Sequence, residues 1–573
     1  MNVSRSIRNR FTLPIILFAW LCTSANFWGA VYYVSNDGDN TTDGLSLESA
    51  WQTIAHVNAQ TFSPGDSILF RCGDIWYEEL VISESGTSIS PITYGPYGSG
   101  EKPAIYGSIR LDAWTNVGGN IWRSVLEIGD PSAGAPHDGQ TQGAGYLWPG
   151  GAWFQERDGS VTWGRQEKYI DTAGDYSELL EEYDWGWYDN QIYIYCPEDP
   201  AVRYLAMQPS QRQTCIKMPN HSPQEHIVID GLRLMFAQSK GLFDGYPEYA
   251  VSGLTVTNCD IGYIGIKNGA SAYGLAVWHS DMLVRNNTFT DCGRRAFSYN
   301  TYTSTGNIYE NIIVEYNQFR NGHHTTSIDV SPHDTDTVRN FHFRNNYIEE
   351  DPHFEQTAPE GFSSNAWYID GRHNAFVYNI YLYNNIVVNA KTRSCQVAYS
   401  SDVYIYHNTF YGSNDDAQPY GLVLLVACDG VHFKNNIVYG NLPRSSFIAY
   451  SVISGTSVIA ECDYNLYFHE DSAQGIWQDD FNGSYYMHQW EDYQTETGYD
   501  QHSPAPADPL FADAPDVFTP RYGSPAIGAG ESVDWITTDF YGRPRSDPPT
   551  LGAVEYIDFH GQAQSNPSWN LLR

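Results

Sequence analysis

NIYLYNNIVV at 379–388 alternates apolar and polar residues, places a pair of asparagines in the middle, and has close copies along the chain. The phrase returns as TNCDI, NNTF, YNQF, NNYI, NNIV, HNTF, NNIV and YNLY, with asparagines at 258, 287, 317, 346, 385, 408, 436 and 465. Most steps between these positions are close to 29 residues; the step from 346 to 385 is longer and that from 385 to 408 shorter. A unit this short cannot bury its apolar side alone, so successive units must stack into a solenoid. MLVRNNTF at 282–289 and NIIVEYNQF at 311–319 show the same strand-like alternation, bounded by Gly, Asn, Asp and Ser. The leucine spacing of a leucine-rich repeat and the long apolar faces of helical repeats are both missing. The pattern therefore predicts a parallel β-helix. Asparagines at one fixed turn would stack from rung to rung, pairing their amides and tolerating left-handed backbone.

The 573 residues exceed one ordinary domain, but a coil grows in one dimension without needing a larger spherical core. Aromatic content of 15%, with 43 Tyr and 17 Trp, fits stacked rings inside such a coil and also fits surfaces that pack on sugars. A formal charge of −36 argues against nucleic acid and anionic membrane partners. The field in a groove depends on charges within about 8 to 10 Å, so a local basic patch can still recruit an acidic glycan.

Arg5, Arg8 and Arg10 precede the apolar run TLPIILFAWLC at 12–22 and the small residues Thr23, Ser24 and Ala25. This is the form of a signal peptide with cleavage after Ala25, so the mature protein is expected to be secreted, periplasmic or extracellular. No other segment is long and apolar enough to span a bilayer. Eight cysteines then remain, without a CxxC spacing, which argues against zinc. Cys259 and Cys292 fall beside the repeat, where a small buried side chain suits the interior.

Residues 26–108 read as an N-terminal cap and first rungs, with AWQTIAHVNAQ at 50–60 as a short capping helix. Asp37, Asp39 and Asp43 are spaced faintly like a calcium loop but lack its terminal Glu, so a plain turn is expected. From 109 to 225 the repeat disappears, and the Trp-rich segments there suggest an antiparallel β insertion. Its rings either pack within a small sheet or line a sugar groove. Rungs resume over 226–507, and the Gly-, Pro- and Asp-rich segment 508–573 is expected to close the far end.

The opening YYVSNDG…AWQTIAHVN…PGDSILFRCGDIWYEELVI, the middle WYDNQIYIYCPEDP and the ending DPLF…GSPAIGAG…DFYGRPR…LGAVEY resemble exported right-handed parallel β-helix proteins of the pectate-lyase-like superfamily. The ending is similar to the module described as choice-of-anchor Q. The resemblance implies an all-β, right-handed solenoid. It leaves activity open, because the superfamily includes lyases, glycoside hydrolases, epimerases and proteins of unknown role.

Strands such as AFSYN at 296–300, SIDVS at 327–331 and AWYID at 366–370 alternate so that Ser298, Asn300, Asp329, Ser331, Tyr368 and Asp370 face outward. Rungs about 4.8 Å apart and a two-residue step of about 6.7 Å put the Cα atoms of Asp329 and Asp370 roughly 8 Å apart. Their carboxylates then fall within the range of about 5 to 9.5 Å used by glycosidases. Arg294, Arg295, His323, His324, His333, Arg372, His373, Lys391 and Arg393 cluster around these strands in a chain with only 31 Lys and Arg. Such a patch would hold a uronate or sulfate, with Arg forking a carboxylate. Two long segments, 301–311 and 349–365, flank the same strands, as binding loops commonly do. SPHD at 331–334 resembles part of the DPHD motif of mannuronan C5-epimerases; Ser331 replaces its first Asp, so only His333 carries over as an acid–base group. Lys267 lies one period before Arg295, similar to the Lys and Arg pairs of some β-helix alginate lyases.

These residues support an exported, monomeric carbohydrate-active protein whose partner is a polysaccharide. The leading expectation is β-elimination on an acidic polysaccharide. Arg295, Arg372 or calcium would neutralise the uronate, His324, His333 or Lys267 would take the C5 proton, and Tyr368 would protonate the leaving oxygen. The substrate would be held by Arg294, His323, Arg372, His373, Lys391 and Arg393. A glycoside hydrolase using Asp329 and Asp370, and a non-catalytic glycan-binding protein, are the alternatives. No protein metal ligand is assigned.

Overall fold

The computed structural model describes residues 29–557 except 130–150, 166–167, 169, 171, 223, 246–249, 266–271, 301–305, 323–324, 334, 351–364, 372–374, 391–392, 414–421, 441–450, 454–457, 472–474 and 480–482. The expected signal segment lies outside them, as do Lys267, His323, His324, Arg372, His373 and Lys391.

Three long sheets run side by side and share one core. Sheet 1 has 12 strands, from Val31–Val34 to Ile459–Asp463; sheet 2 has 11, from Ile75–Trp76 to Leu466–His469; sheet 3 has 12, from Leu80–Val81 to Gly483–Tyr486. The chain visits them in the order 1, 2, 3, and strands pair in parallel with their counterparts one coil on, as in Met282–Arg285 with Ile308–Glu315, until the last strand of sheet 3, Gly483–Tyr486, which pairs antiparallel with Gly475–Asp479. This is the parallel β-helix that the repeat predicts. Every second residue of each strand points inward, so Val284, Val314, Phe343, Leu382, Ile405 and Phe433 form one continuous column of the core.

The asparagine ladder has a more specific geometry than the repeat implied. Asn287, Asn317, Asn346, Asn385, Asn408, Asn436 and Asn465 are fully buried, and each Nδ2 donates to the Oδ1 of the next at 3.0–3.2 Å. Cys259 fills the slot before Asn287, its amide donating to Asn287 Oδ1, so Asn258 is not a member. Left-handed backbone belongs to the preceding column, Asn258, Asn286, Tyr316, Asn345, Asn384, His407, Asn435 and Tyr464, with φ between 53° and 59°. One turn thus divides its two needs between neighbouring residues.

At the near end, Thr53 caps the helix Ile54–Asn58, which buries Ile54 and Val57, and Asn58 accepts from the amide of Val81 on the first strand of sheet 3. The Asp39 and Asp43 carboxylates accept from Thr41, Leu45 and Ser49, and Asp37 pairs with Arg71, so this loop is the plain turn expected. The insertion leaves sheet 2 after Ala104–Tyr106 and forms two antiparallel sheets of four and three strands. The coil resumes at Thr214–Lys217, ahead of the 225 boundary read from the sequence. Trp153, Trp163 and Trp185 are buried, so these rings pack the subdomain and its junction with Phe236 rather than lining a groove.

The far end departs from expectation. The helix Trp490–Thr497 and Asp500 close the coil, with Asp500 accepting from the last ladder asparagine, Asn465, at 3.0 Å and from Tyr467, Tyr493 and Ser503. The following segment runs back along the flank. Asn345 and Asn384 donate to backbone carbonyls of residues 538–540, Asn435 donates to the Glu531 carbonyl, and Trp535 packs on Tyr381, Tyr383 and Tyr406. The side-chain amides of Asn345, Asn384 and Asn435, set in left-handed turns, thus find backbone acceptors in this segment.

Candidate active site on the outer face of sheet 3

Sheet 3 brings the predicted carboxylates to one side of the coil. Ile328, Val330, Trp367 and Ile369 occupy the core, so Asp329 and Asp370 point away from it. The register pairs Ser298 with Asp329, Asp329 with Tyr368, and Tyr368 with Gln396, one residue per rung; Asp370 lies two residues along from Tyr368. The two carboxylates are nevertheless buried, Asp329 0% and Asp370 3% exposed, whereas Tyr368 and Gln396 on the same face are half-buried. They are not the solvated loop carboxylates of an ordinary surface.

A buried carboxylate must be compensated. Arg295 Nε lies 2.5 Å from Asp329 Oδ2, and Ser331 Oγ donates to Oδ1 at 2.6 Å. The Asn300 amide, oriented to satisfy both neighbours, accepts from Arg295 Nη1 at 3.3 Å and donates to the Ser331 carbonyl. The guanidinium also sits over the ring of Tyr273, 5.5 Å from its centroid. Tyr368 donates its hydroxyl to Asp370 Oδ2.

Strict alternation from Phe297 would turn Arg295 inward. A bulge prevents this: the amides of Arg294 and Arg295 both donate to the Ala272 carbonyl, just as Ser239 and Lys240 share that of Gln213. The residue after each of these positions is small, Gly241, Gly274 or Ala296, and a Cβ on Gly241 would come within 2.6 Å of the Gly274 carbonyl. Lys240, Tyr273, Arg295, Thr325, Asn365 and Arg393 thus form a polar column across six rungs. Lys240 and Tyr273 were missed from sequence. The shared spacing in KGLF, YGLA and RAFS, each placing the polar residue two before a core position, was the signal.

Arg294 is half-buried beside this column, and His333 is exposed, three residues past the strand Thr325–Val330. Arg393 is buried and donates Nη1 to Gln396 Oε1 at 3.1 Å. Among the described residues, no group of three or more His, Cys, Asp and Glu is placed to hold a metal ion. The eight cysteines of the expected mature chain are free thiols, seven of them buried.

A second buried pair lies where sheet 3 turns toward sheet 1. Asp244 Oδ2 accepts from the Trp278 amide and faces His279 Nε2 at 3.4 Å, with both side chains fully buried. Burial pushes the Asp244 carboxyl well up and the His279 imidazole down to about 3.

No protein-family model and no curated protein matches this chain. Solved structures similar to it include XylC in complex with xylose, 14% identical, with a TM-score of 0.47 over 92% of this chain and 98% of that one. Pectate lyase Pel9A is 12% identical, with a TM-score of 0.40 over 92% of this chain and 96% of that one. The GH136 lacto-N-biosidase from Eubacterium ramulus is 11% identical, with a TM-score of 0.32 over 79% of this chain and 67% of that one. At such low identity, the fold rests on the register of this chain's own sheets.

Proposed function

We propose that the protein is an exported carbohydrate-active enzyme that binds a polysaccharide across the outer face of sheet 3 and hydrolyses it with Asp329 and Asp370. The observation that carries this reading is the pair itself: two carboxylates on one face, one rung and two residues apart, each given a different partner. Arg295 balances the charge of Asp329, which suits it to act as base or nucleophile. Asp370, bonded to the Tyr368 hydroxyl, is then the proton donor to the leaving oxygen.

β-Elimination on an acidic polysaccharide is the second reading, favoured by the column that aligns Lys240, Arg295 and Arg393. It asks Arg295 to neutralise a substrate carboxylate, a charge that Asp329 already meets. Tyr368 would donate the proton in that chemistry.

A panel of neutral and uronate polysaccharides, scored for both reducing ends and unsaturated products, tests the two. Hydrolysis predicts reducing ends without an ultraviolet chromophore, and Asp329→Asn or Asp370→Asn should each lower turnover by about 100-fold or more. Unsaturated products that survive Asp370→Asn would replace hydrolysis with elimination. Secretion with a new N-terminus following Ala25, read by sequencing the mature protein, tests export.

A further inference from the structure

Gln396 stands in the outward column directly after Asp329 and Tyr368, one rung beyond the phenol that touches Asp370. Its side-chain oxygen receives two donors, Arg393 Nη1 at 3.1 Å and Asn365 Nδ2 at 3.2 Å. Arg393 and Asn365 are themselves buried members of the polar column, paired across neighbouring rungs. Two donors on Oε1 fix which way the amide faces, so the NH2 group must turn toward the opposite side. No described residue accepts from that NH2, and Gln396 is only half-buried. An amide with its oxygen pinned by a guanidinium is a pre-oriented, polarised donor. Such a group costs little ordering on binding and rejects a ligand that leaves it unpaired.

We infer that Gln396 is a specificity-determining residue that donates to an acceptor oxygen on the sugar unit next to the one held at Asp370, with Arg393 and Asn365 as its positioning residues. This rests on the proposed reading of the sheet 3 face as the glycan site. The acceptor can be a hydroxyl or a uronate carboxylate. The two are separated by comparing neutral and uronate substrates of the same linkage.

Gln396→Glu keeps shape and leaves a carboxylate oxygen for Arg393 and Asn365, so it should fold like the parent, as thermal melting will verify. On the cleaved polysaccharide it should raise KM about tenfold, the weight of one lost hydrogen bond to a polar ligand, with kcat within about twofold. A carboxylate acceptor predicts a larger rise on uronate than on neutral chains, from repulsion; a hydroxyl predicts equal rises. Arg393→Met, which frees the amide to turn over, should raise KM less than Gln396→Glu does. An unchanged KM, or a fall in kcat at constant KM, overturns the inference. If the unaltered protein binds a glycan in affinity electrophoresis without cleaving it, hydrolysis fails, while weaker retention of Gln396→Glu still supports the recognition role. No glycan binding by the unaltered protein overturns both.

Discussion

Arg295 and Asp329 are both buried and each is committed to the other, and this makes their pairing a stability question as well as a catalytic one. Removing one partner of a buried ion pair leaves a stranded charge, at a cost of about 3 to 5 kcal/mol. Arg295→Met should therefore lower the denaturant midpoint strongly, and adding Asp329→Asn should recover much of the loss. A double variant as unstable as the sum of the two single ones would mean that the contact carries no coupling. The outward direction of Asp329 was legible in the alternation of SIDVS, because Ile328 and Val330 needed the core. Its burial was not. The arginine reaches Asp329 through a bulge set by shared backbone acceptors, to which side-chain periodicity is blind.

Within a single turn of the coil, the buried asparagine makes up to five hydrogen bonds. Asn385 Nδ2 reaches the Phe343 carbonyl and Asn408 Oδ1, its amide N–H reaches the same oxygen, and its own Oδ1 takes both the backbone amide and the Nδ2 of Asn346. Deleting that side chain leaves the backbone amide and Nδ2 of Asn346 without this acceptor and takes a donor from the Phe343 carbonyl, at about 1 to 3 kcal/mol for each buried group. Asn385→Ala should lower the unfolding free energy by several kcal/mol, whereas Asn340→Ala, at a half-buried left-handed position whose side chain makes only 3.4 Å contacts to Asn311 and Asn379, should lower it by no more than about 1 kcal/mol. Equal effects in urea titrations would reduce the ladder to a surface decoration. The period and the identity of this turn could be read directly from the sequence, since NN and HN pairs mark it. The one-residue offset at Cys259 could not, because TNCDI offers an asparagine in the left-handed slot and hides the vacancy in the ladder slot. Nor could the course of the tail: a Gly- and Pro-rich segment after the last rung fits an end cap as well as a flank strap, and only the positions of Asn345, Asn384 and Asn435 decide.

Across the whole coil, stacking forces polar rings as well as apolar ones into the interior and under the tail, and this gives the protein a pH response. His342 is stacked face to face on Tyr381 at 4.5 Å, and His407 accepts at Nε2 from Asn435. Burial holds His342 down at about 4, and burial aided by Arg545 holds His407 well below its ordinary value. A folded-state value below the unfolded 6.5 means that the unfolded chain takes up protons first. Stability is therefore fully present above about pH 6.5 and is lost as pH falls toward 4. Asp244 works the other way at His279, because its raised carboxyl is relieved by acid, so that pair is a poor probe of the effect. His342→Phe is a better one, since the phenyl ring keeps the stack on Tyr381 and cannot titrate. The melting temperature of the parent should fall between pH 6.5 and 4, and that of His342→Phe should fall less over the same range. Parallel curves would show that the acid response arises elsewhere, most directly at His407, which both proteins keep.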